Sequence, residues 1–370
     1  MHLRTRGLVL AITAYISYIP VKITSDNLVF NITEWQDDYA LQGFLTTVTT
    51  CASAHYPGIR DGTTVTETKT YDIAASFCRP KTSPGLDSVI LATHGVGLAR
   101  AHWNSPFKPE EYNFVQHAVS KGYSVFFYDR LGNGRSNKYP SGYKNQFRMQ
   151  REVLKELATL VRPGRYTGNC GTPKKVVAMG FALGAYISHY TMASHPELFD
   201  AAVLTGVNYN TSIASLQNTD RFSEYDTGYL TWVDAIANIN TYFKYPYYDV
   251  DVALSLEEMK NPFTFLEFET PVDGDLDASN FTGPVLAMAG KNDYVICDGE
   301  CKGIFDEAAR EVFKNAKRCM PYLHPHSNHN LNFHHNATGA FNIMTDSSTL
   351  ISNQQCFCVV EVRAYGNVLC

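Results

Sequence analysis

The sequence lacks two features that define large classes of proteins: clustered positive charge and a long apolar segment. Its 31 Lys and Arg residues are outnumbered by 36 Asp and Glu residues, and the formal net charge is −5. Nucleic-acid binding requires a basic patch or stripe, so we expect no nucleic-acid partner. The apolar run over residues 8–19 is too short to cross a bilayer, so we expect no stable membrane span.

The same apolar run has a second meaning because basic residues come before it. Arg4 and Arg6 precede the run, as the charged region precedes the apolar region of a secretory signal peptide. We therefore predict a signal peptide over residues 1–20, with the protein secreted or in the secretory pathway. A buried N-terminal strand or helix is the alternative interpretation.

Metal-binding patterns are also missing, although cysteine and histidine are present. Two Cys-x-x-Cys pairs do not occur, and the five histidines within residues 324–335 contain no His-Glu-x-x-His. We therefore predict no metal site and no cofactor. In a secreted protein, nine cysteines favour disulfide bonds whose pairing stays open, and the odd number leaves at least one thiol free or paired between chains. The cysteines are Cys51, Cys78, Cys170, Cys297, Cys301, Cys319, Cys356, Cys358 and Cys370.

From residue 88 onward, short apolar runs alternate with segments of helical periodicity. This alternation predicts an α/β fold with a mostly parallel central sheet and helices on both faces. The strand candidates are Ser88–Thr93, Ser124–Tyr128, Lys175–Met179, Ala201–Thr205 and Pro284–Met288, and residues 64–77 suit an antiparallel edge pair. A helix is predicted from the apolar spacing that begins at Phe147.

Two stretches interrupt this alternation and set the predicted domain boundaries. Residues 208–282 are too long for a loop within an α/β unit, so we predict an inserted helical cap there. The core then comprises residues 21–207 and 283–344. Residues 345–370 form an atypical tail without helical periodicity.

The most informative absence is a single hydroxyl group. Gly180-Phe181-Ala182-Leu183-Gly184 follows a strand candidate with the Gly-x-Ser-x-Gly spacing of a nucleophile elbow, but Ala182 stands at the serine position. Loss of the nucleophile in a serine protease lowers turnover by about 10⁶-fold. Covalent hydrolysis by this chain is therefore expected to be negligible.

The other parts of a serine-hydrolase site occur in the expected chain order. His94-Gly95-Val96-Gly97 follows a strand, Asp293 follows another, and His329 lies near the end of the core. The order nucleophile, acid, histidine is that of the α/β-hydrolase fold. We predict Asp293 and His329 as an acid–base pair, and the backbone N–H groups of Leu183 and of Val96 or Gly97 as oxyanion donors.

Within this superfamily the chain resembles secreted fungal α/β hydrolases of unassigned substrate. The resemblance rests on His94–Gly97 with Trp103 downstream, on Tyr128–Gly132, on Cys297 and Cys301 after the acid, and on residues 329–339, His-Asn-Leu-Asn-Phe-His-His-Asn-Ala-Thr-Gly. Members usually carry Gly-His-Ser-x-Gly at the elbow. This chain departs from that pattern with Phe181 and Ala182, and the second departure is the one that removes the nucleophile.

Aromatic residues are abundant, with 23 Tyr and 21 Phe, and many of them lie in the predicted cap. They predict either an apolar lid over the pocket or the core of a small cap. As substrate-binding residues we predict Phe181, Trp103, Tyr209 and Trp232. The expected partner is a hydrophobic or aromatic small molecule, and the oligomeric state stays undefined.

Three functions are compatible with these residues. The first is membership of a hydrolase family that acts on hydrophobic esters or lactones, with Ala182 introduced in place of a serine. The second is a non-hydrolytic enzyme in which His329 and Asp293 drive a cyclisation, an elimination or a lyase step in secondary metabolism. The third is a catalytically inactive binding protein. Retention of the acid, the base and the oxyanion loop together favours an active pocket.

Overall fold

The computed structural model describes residues 15–48, 60–81, 87–209, 219–269 and 276–346. The strands are β1 (Tyr15–Phe30), β2 (Arg60–Cys78), β3 (Ser88–Thr93), β4 (Ser124–Tyr128), β5 (Lys175–Phe181), β6 (Ala201–Thr205), β7 (Thr219–Arg221), β8 (Tyr229–Trp232), β9 (Phe263–Thr264), β10 (Val285–Gly290) and β11 (Cys319–His324). The five strands predicted between residues 88 and 288 are all present. Two of them continue for two residues beyond the predicted end.

Among the described residues, eight strands form the central sheet in the order β1-β2-β4-β3-β5-β6-β10-β11. From β4 to β11 every neighbouring pair is parallel, whereas β2 is antiparallel to both β1 and β4. Every residue of β3 and β4 is buried, which explains the continuous apolar runs that replace alternation in strands covered on both faces. The mostly parallel sheet and the antiparallel edge pair are as predicted.

The helices cover the sheet and build much of the inserted segment. They are α1 (Asp38–Val48), α2 (Pro109–Tyr112), α3 (Phe114–Ser120), α4 (Phe147–Val161), α5 (Leu183–Ser194), α6 (Ala235–Tyr242), α7 (Val250–Glu258), α8 (Phe265–Glu269), α9 (Tyr294–Cys297), α10 (Asp306–Val312) and α11 (Ala337–Met344). α4 has the predicted amphipathic face, packing on β1 and on α5. Within the described ranges, no helix combines the length and the apolarity needed to cross a bilayer.

The predicted leader and the predicted tail are only partly covered by the described residues. Residues 15–20 of the predicted leader form the start of β1, where Ile19 is fully buried against β2. A leader that ended at residue 20 would remove this part of a core strand, whereas one that ended before Tyr15 would leave β1 intact. Residues 1–14, and the predicted tail beyond Asp346, lie outside the described residues.

The segment predicted as a helical cap contains helices and also a small sheet, which was not predicted. α6, α7 and α8 are accompanied by the antiparallel strands β7, β8 and β9. The buried aromatic side chains of this segment pack within the cap and also contact the core. Tyr229 packs on Tyr225, and its hydroxyl donates to Tyr139 O of the core. Trp232 lies against Gly97, and the Tyr242 hydroxyl donates to Val96 O.

A buried ion pair joins the cap to the core. Arg130, which follows β4, pairs with Glu267 of α8 at 2.5 Å, and both side chains are fully buried. Gln150 of α4 donates to the same carboxylate at 3.0 Å. The backbone N–H of Thr264 donates to its other oxygen. Because these groups bond to both oxygens, the Glu267 carboxylate is well compensated for its loss of water.

We expect Glu267→Ala to lower the free energy of unfolding by about 3–5 kcal/mol, because it leaves the Arg130 guanidinium buried without a counter-charge. Chemical denaturation measures the change. The control is Lys174→Ala, which removes an exposed ion pair with Asp87 and should have no measurable effect. Equal stability of the two variants would contradict the structural role of the buried pair.

Candidate active site

The turn between β5 and α5 has the shape of a nucleophile elbow. Ala182 connects the strand to the helix with φ 50° and ψ −120°, a conformation that residues other than glycine rarely adopt. Its backbone N–H donates to Thr205 O of β6 at 2.8 Å, and its carbonyl accepts from Ala185. The turn is therefore strained at one residue and held on both sides.

The two flanking glycines explain how so tight a turn fits against the sheet. A Cβ on Gly184 would lie 2.3 Å from the carbonyl oxygen of Thr93, and one on Gly180 would lie 2.4 Å from the Cα of Ala185. Neither position accepts a side chain without moving backbone. The glycines at the predicted spacing are thus required for α5 to approach β3 and β5 closely.

Asp293 and His329 form the predicted acid–base pair. The Nδ1 of His329 lies 2.8 Å from Oδ2 of Asp293. The other oxygen of Asp293 accepts the N–H groups of Val295 and Ile296 at the start of α9. Since the carboxylate accepts the Nδ1 proton, Nε2 of His329 is left with its lone pair, as a general base requires. Both side chains are buried.

The segment that carries Val96 and Gly97 is held by the fully buried side chain of His94. The Nδ1 of His94 donates to Gly95 O at 2.8 Å, and its Nε2 accepts the backbone N–H of Arg130 at 3.0 Å. Burial, and next the nearby Arg130 charge, lower the pKa of His94 well below its ordinary value. The neutral imidazole therefore fixes the start of the loop that carries Val96 and Gly97.

Residues of the cap form hydrogen bonds to the same loop. The Tyr242 hydroxyl donates to Val96 O at 2.6 Å, and the backbone N–H of Asn261 donates to Gly97 O at 2.9 Å. A Cβ on Gly97, whose φ is +64°, would lie 2.8 Å from the indole nitrogen of Trp232. In the described part of the chain, neither the N–H of Val96 nor that of Gly97 donates a hydrogen bond, so both are available for the predicted role of oxyanion donor.

Phe181 and His102 pack beside the base. The ring of Phe181 lies 5.0 Å from that of His329 and stacks on His102 at 4.6 Å. Asn332 contacts Nε2 of His102 at 3.2 Å. Burial, and next the proximity of His329, lower the pKa of His102 to about 3. Because His102 is neutral, it places no positive charge beside His329.

The structure brings most of the predicted site residues together. Ala182, Leu183, Val96, Gly97, Asp293 and His329 converge at the carboxyl ends of β3, β5 and β10, with Phe181 and Trp232 beside them. The contacts of Trp103 and Tyr209 are with core residues. Trp103 is fully buried against Phe114 and His102, and Tyr209 packs on His189 and Phe313. Their aromatic character serves core packing at these positions.

Several residues of the site were not predicted from the sequence. In the sequence, Tyr242 is one of many cap aromatics, and neither His102 nor Asn328 carries a distinguishing pattern. Asn328 belongs to the site because its Oδ1 accepts the N–H of Tyr294, the residue after Asp293, at 2.7 Å. Their roles depend on contacts between segments that are far apart in the chain.

Among the described residues, no cluster of His, Cys, Asp and Glu has the arrangement of a metal site. Cys297 and Cys301 form a disulfide just after Asp293, and Cys78, Cys170 and Cys319 are free thiols.

The sheet order, the elbow and the Asp293–His329 pair together define an α/β-hydrolase. The model of the alpha/beta hydrolase family matches residues 89–340, and the chain belongs to this family. The predicted fold is thereby confirmed.

Solved structures agree at the level of the fold. An esterase from Thermogutta terrifontis is 13% identical, with a TM-score of 0.50 over 74% of this chain and 93% of that one. A peroxisomal α/β-hydrolase from Saccharomyces cerevisiae is 10% identical, with a TM-score of 0.51 over 93% and 91%. A putative aryl esterase from Burkholderia cenocepacia is 15% identical, with a TM-score of 0.50 over 75% and 93%. No curated protein matches the sequence.

We expect Ala182→Gly to raise the free energy of unfolding by about 1 kcal/mol. Strain at such a backbone conformation costs about 1–3 kcal/mol in a non-glycine residue. Glycine removes this strain but loses more backbone entropy on folding, which costs about 0.5–1 kcal/mol relative to alanine. Ala308→Gly in α10 is the control and should lower stability by about 1 kcal/mol. A loss of similar size in both variants, measured by denaturant titration, would show that the elbow is unstrained.

Proposed function

We propose that this is the site of a carboxylic-ester or lactone hydrolase for hydrophobic small molecules, with Ala182 occupying the position of its nucleophile. The observation that carries the proposal is the backbone of Ala182. A conformation with φ 50° stabilises nothing in an alanine, but in this fold it presents the side chain of the elbow residue to the pocket. The base and the oxyanion loop around it support the same reaction class.

Each part of the site has a role in that reaction. The N–H of Leu183, at the start of α5, and that of Val96 or Gly97 would stabilise the charge that develops on the substrate carbonyl oxygen. His329 would take a proton and Asp293 would hold its tautomer. Phe181 and Trp232 would line the pocket against the apolar part of the substrate. Since alanine has no lone pair, covalent attack is absent from the chain as it stands.

We expect Ala182→Ser to gain hydrolysis of short and medium-chain nitrophenyl esters by at least about 10³-fold. The complete nucleophile contribution is about 10⁶-fold in a serine protease, and the lower figure allows for imperfect placement. Stopped-flow release of nitrophenol should show a burst as the acyl-enzyme forms.

Two variants serve as controls for this gain. Ala182→Gly keeps the turn without supplying an oxygen, and Ala182→Ser combined with His329→Ala supplies the oxygen without its base. Both should stay at the level of the parent protein. A folded Ala182→Ser variant that is inert towards all esters and lactones tested would overturn the hydrolase proposal.

A second candidate function follows from the base alone. Nε2 of His329 accepts no hydrogen bond from the described part of the chain, while Nδ1 is held by Asp293. Such a base, beside two oxyanion donors, suits proton abstraction next to a carbonyl, and thus a cyclisation, an elimination or a lyase step. In that case His329→Ala abolishes turnover by the protein with Ala182 unchanged. Ligand binding that survives this variant, with no turnover in any background, would instead favour an inactive binding protein.

A further inference from the structure

His334 makes three hydrogen bonds, and two of them go to the residues on either side of His329. Its Nδ1 lies 2.8 Å from Asn330 O, and its Nε2 lies 3.2 Å from the backbone nitrogen of Asn328. A carbonyl only accepts and a backbone N–H only donates, so Nδ1 carries the proton and Nε2 is the acceptor. One neutral imidazole thus bonds both peptide neighbours of the base.

The third bond extends this arrangement to the cap. The backbone N–H of Lys244, two residues after α6, donates to the same Nε2 at 3.1 Å. The ring of His334 also lies 5.6 Å from that of Phe243. His334 therefore bonds the cap and the loop that carries His329 with the same nitrogen.

Other bonds between these segments point the same way. The N–H of Asn330 donates to Tyr242 O at 3.1 Å, and the amide of Asn328 donates to Phe243 O at 2.8 Å. The Oδ1 of Asn328 accepts the N–H of Tyr294, the residue after Asp293. The acid and the base are consequently both tied to the backbone at the end of α6.

We propose that His334 is a positioning residue for His329, which makes the geometry of the base depend on docking of the cap at Phe243 and Lys244. The proposal rests on the proposed function in that His329 is taken as the base. The structural claim itself concerns hydrogen bonds only. Without His334 the peptide groups on either side of His329 lose their partners, and the imidazole of His329 no longer keeps its bond to Asp293.

The environment of His334 keeps it in the state that these bonds require. Burial is the main cause that lowers the pKa of His334 to about 4; the hydrogen bond to Asn330 O opposes it, and the nearby His324 and His335 add to it. Protonation of Nε2 would set a donor against two N–H groups. At neutral pH the imidazole is therefore the neutral acceptor that the Asn328 and Lys244 N–H groups need.

The test reads out the His329–Asp293 bond directly, in the protein with Ala182 unchanged. A proton shared between an imidazole and a carboxylate gives a far-downfield resonance in proton NMR, which is assigned by its absence from His329→Ala. We expect His334→Ala to lose or broaden this resonance. The matched control is His335→Ala, which removes the exposed neighbour that pairs with Asp249 and should leave the resonance unchanged.

Conservative variants separate positioning from general stability. The Oε1 of Gln can replace the acceptor Nε2, so His334→Gln should retain the resonance, whereas His334→Asn keeps only a donor for Asn330 O and should weaken it. In the Ala182→Ser background, His334→Ala should lower kcat by about 100-fold with little change in KM, since a misplaced group costs about that factor.

Two results would overturn the proposal: an unchanged resonance in folded His334→Ala, or equal resonances and kcat values for the Asn and Gln variants. If His334→Ala does not fold, His334→Asn takes its place in the test. A resonance in His334→Asn that is unchanged from the parent protein would then overturn the proposal. Because the NMR readout needs no turnover, an inert Ala182→Ser protein would refute the hydrolase proposal and leave this test intact.

Discussion

The site depends on the close approach of α5 to β3 and β5. The carbonyl oxygen of Thr93 lies where a side chain on Gly184 would have to be, so the helix can begin this near the sheet only with glycine at that position. The turn that leads into the helix has its positive φ at Ala182. The N–H of Leu183 at the helix start is placed by this close packing.

The second layer of organisation comes from the cap, which bonds to backbone groups of the core loops. Tyr242 and Asn261 bond to the carbonyls of the oxyanion loop, and Tyr242, Phe243 and Lys244 bond to the segment around His329. The buried pair of Arg130 and Glu267 holds the cap on the same side. The cap therefore fixes the backbone of the two loops that carry Gly97 and His329.

The sequence predicts those parts of this arrangement that have a local pattern. Apolar runs identify the strands, glycine spacing identifies the elbow, and chain order identifies Asp293 and His329. Bonds between segments distant in the chain leave no such pattern: His334 stands in a histidine-rich stretch in which nothing distinguishes it from exposed His335. Trp103 and Tyr209 illustrate the opposite case, since an aromatic residue near a motif packs equally well into a core. The small sheet of the cap escaped prediction because β7 and β9 are only three and two residues long, too short for alternation to be recognised.

The preserved backbone at Ala182 has a genetic consequence. Every alanine codon becomes a serine codon by a change of its first base, and here the turn at Ala182 and the hydrogen bond between His329 and Asp293 are already in place. No accompanying mutation is needed to reshape the elbow. In evolutionary terms, the site with a nucleophile and the site without one are neighbours, separated by a single point mutation in either direction.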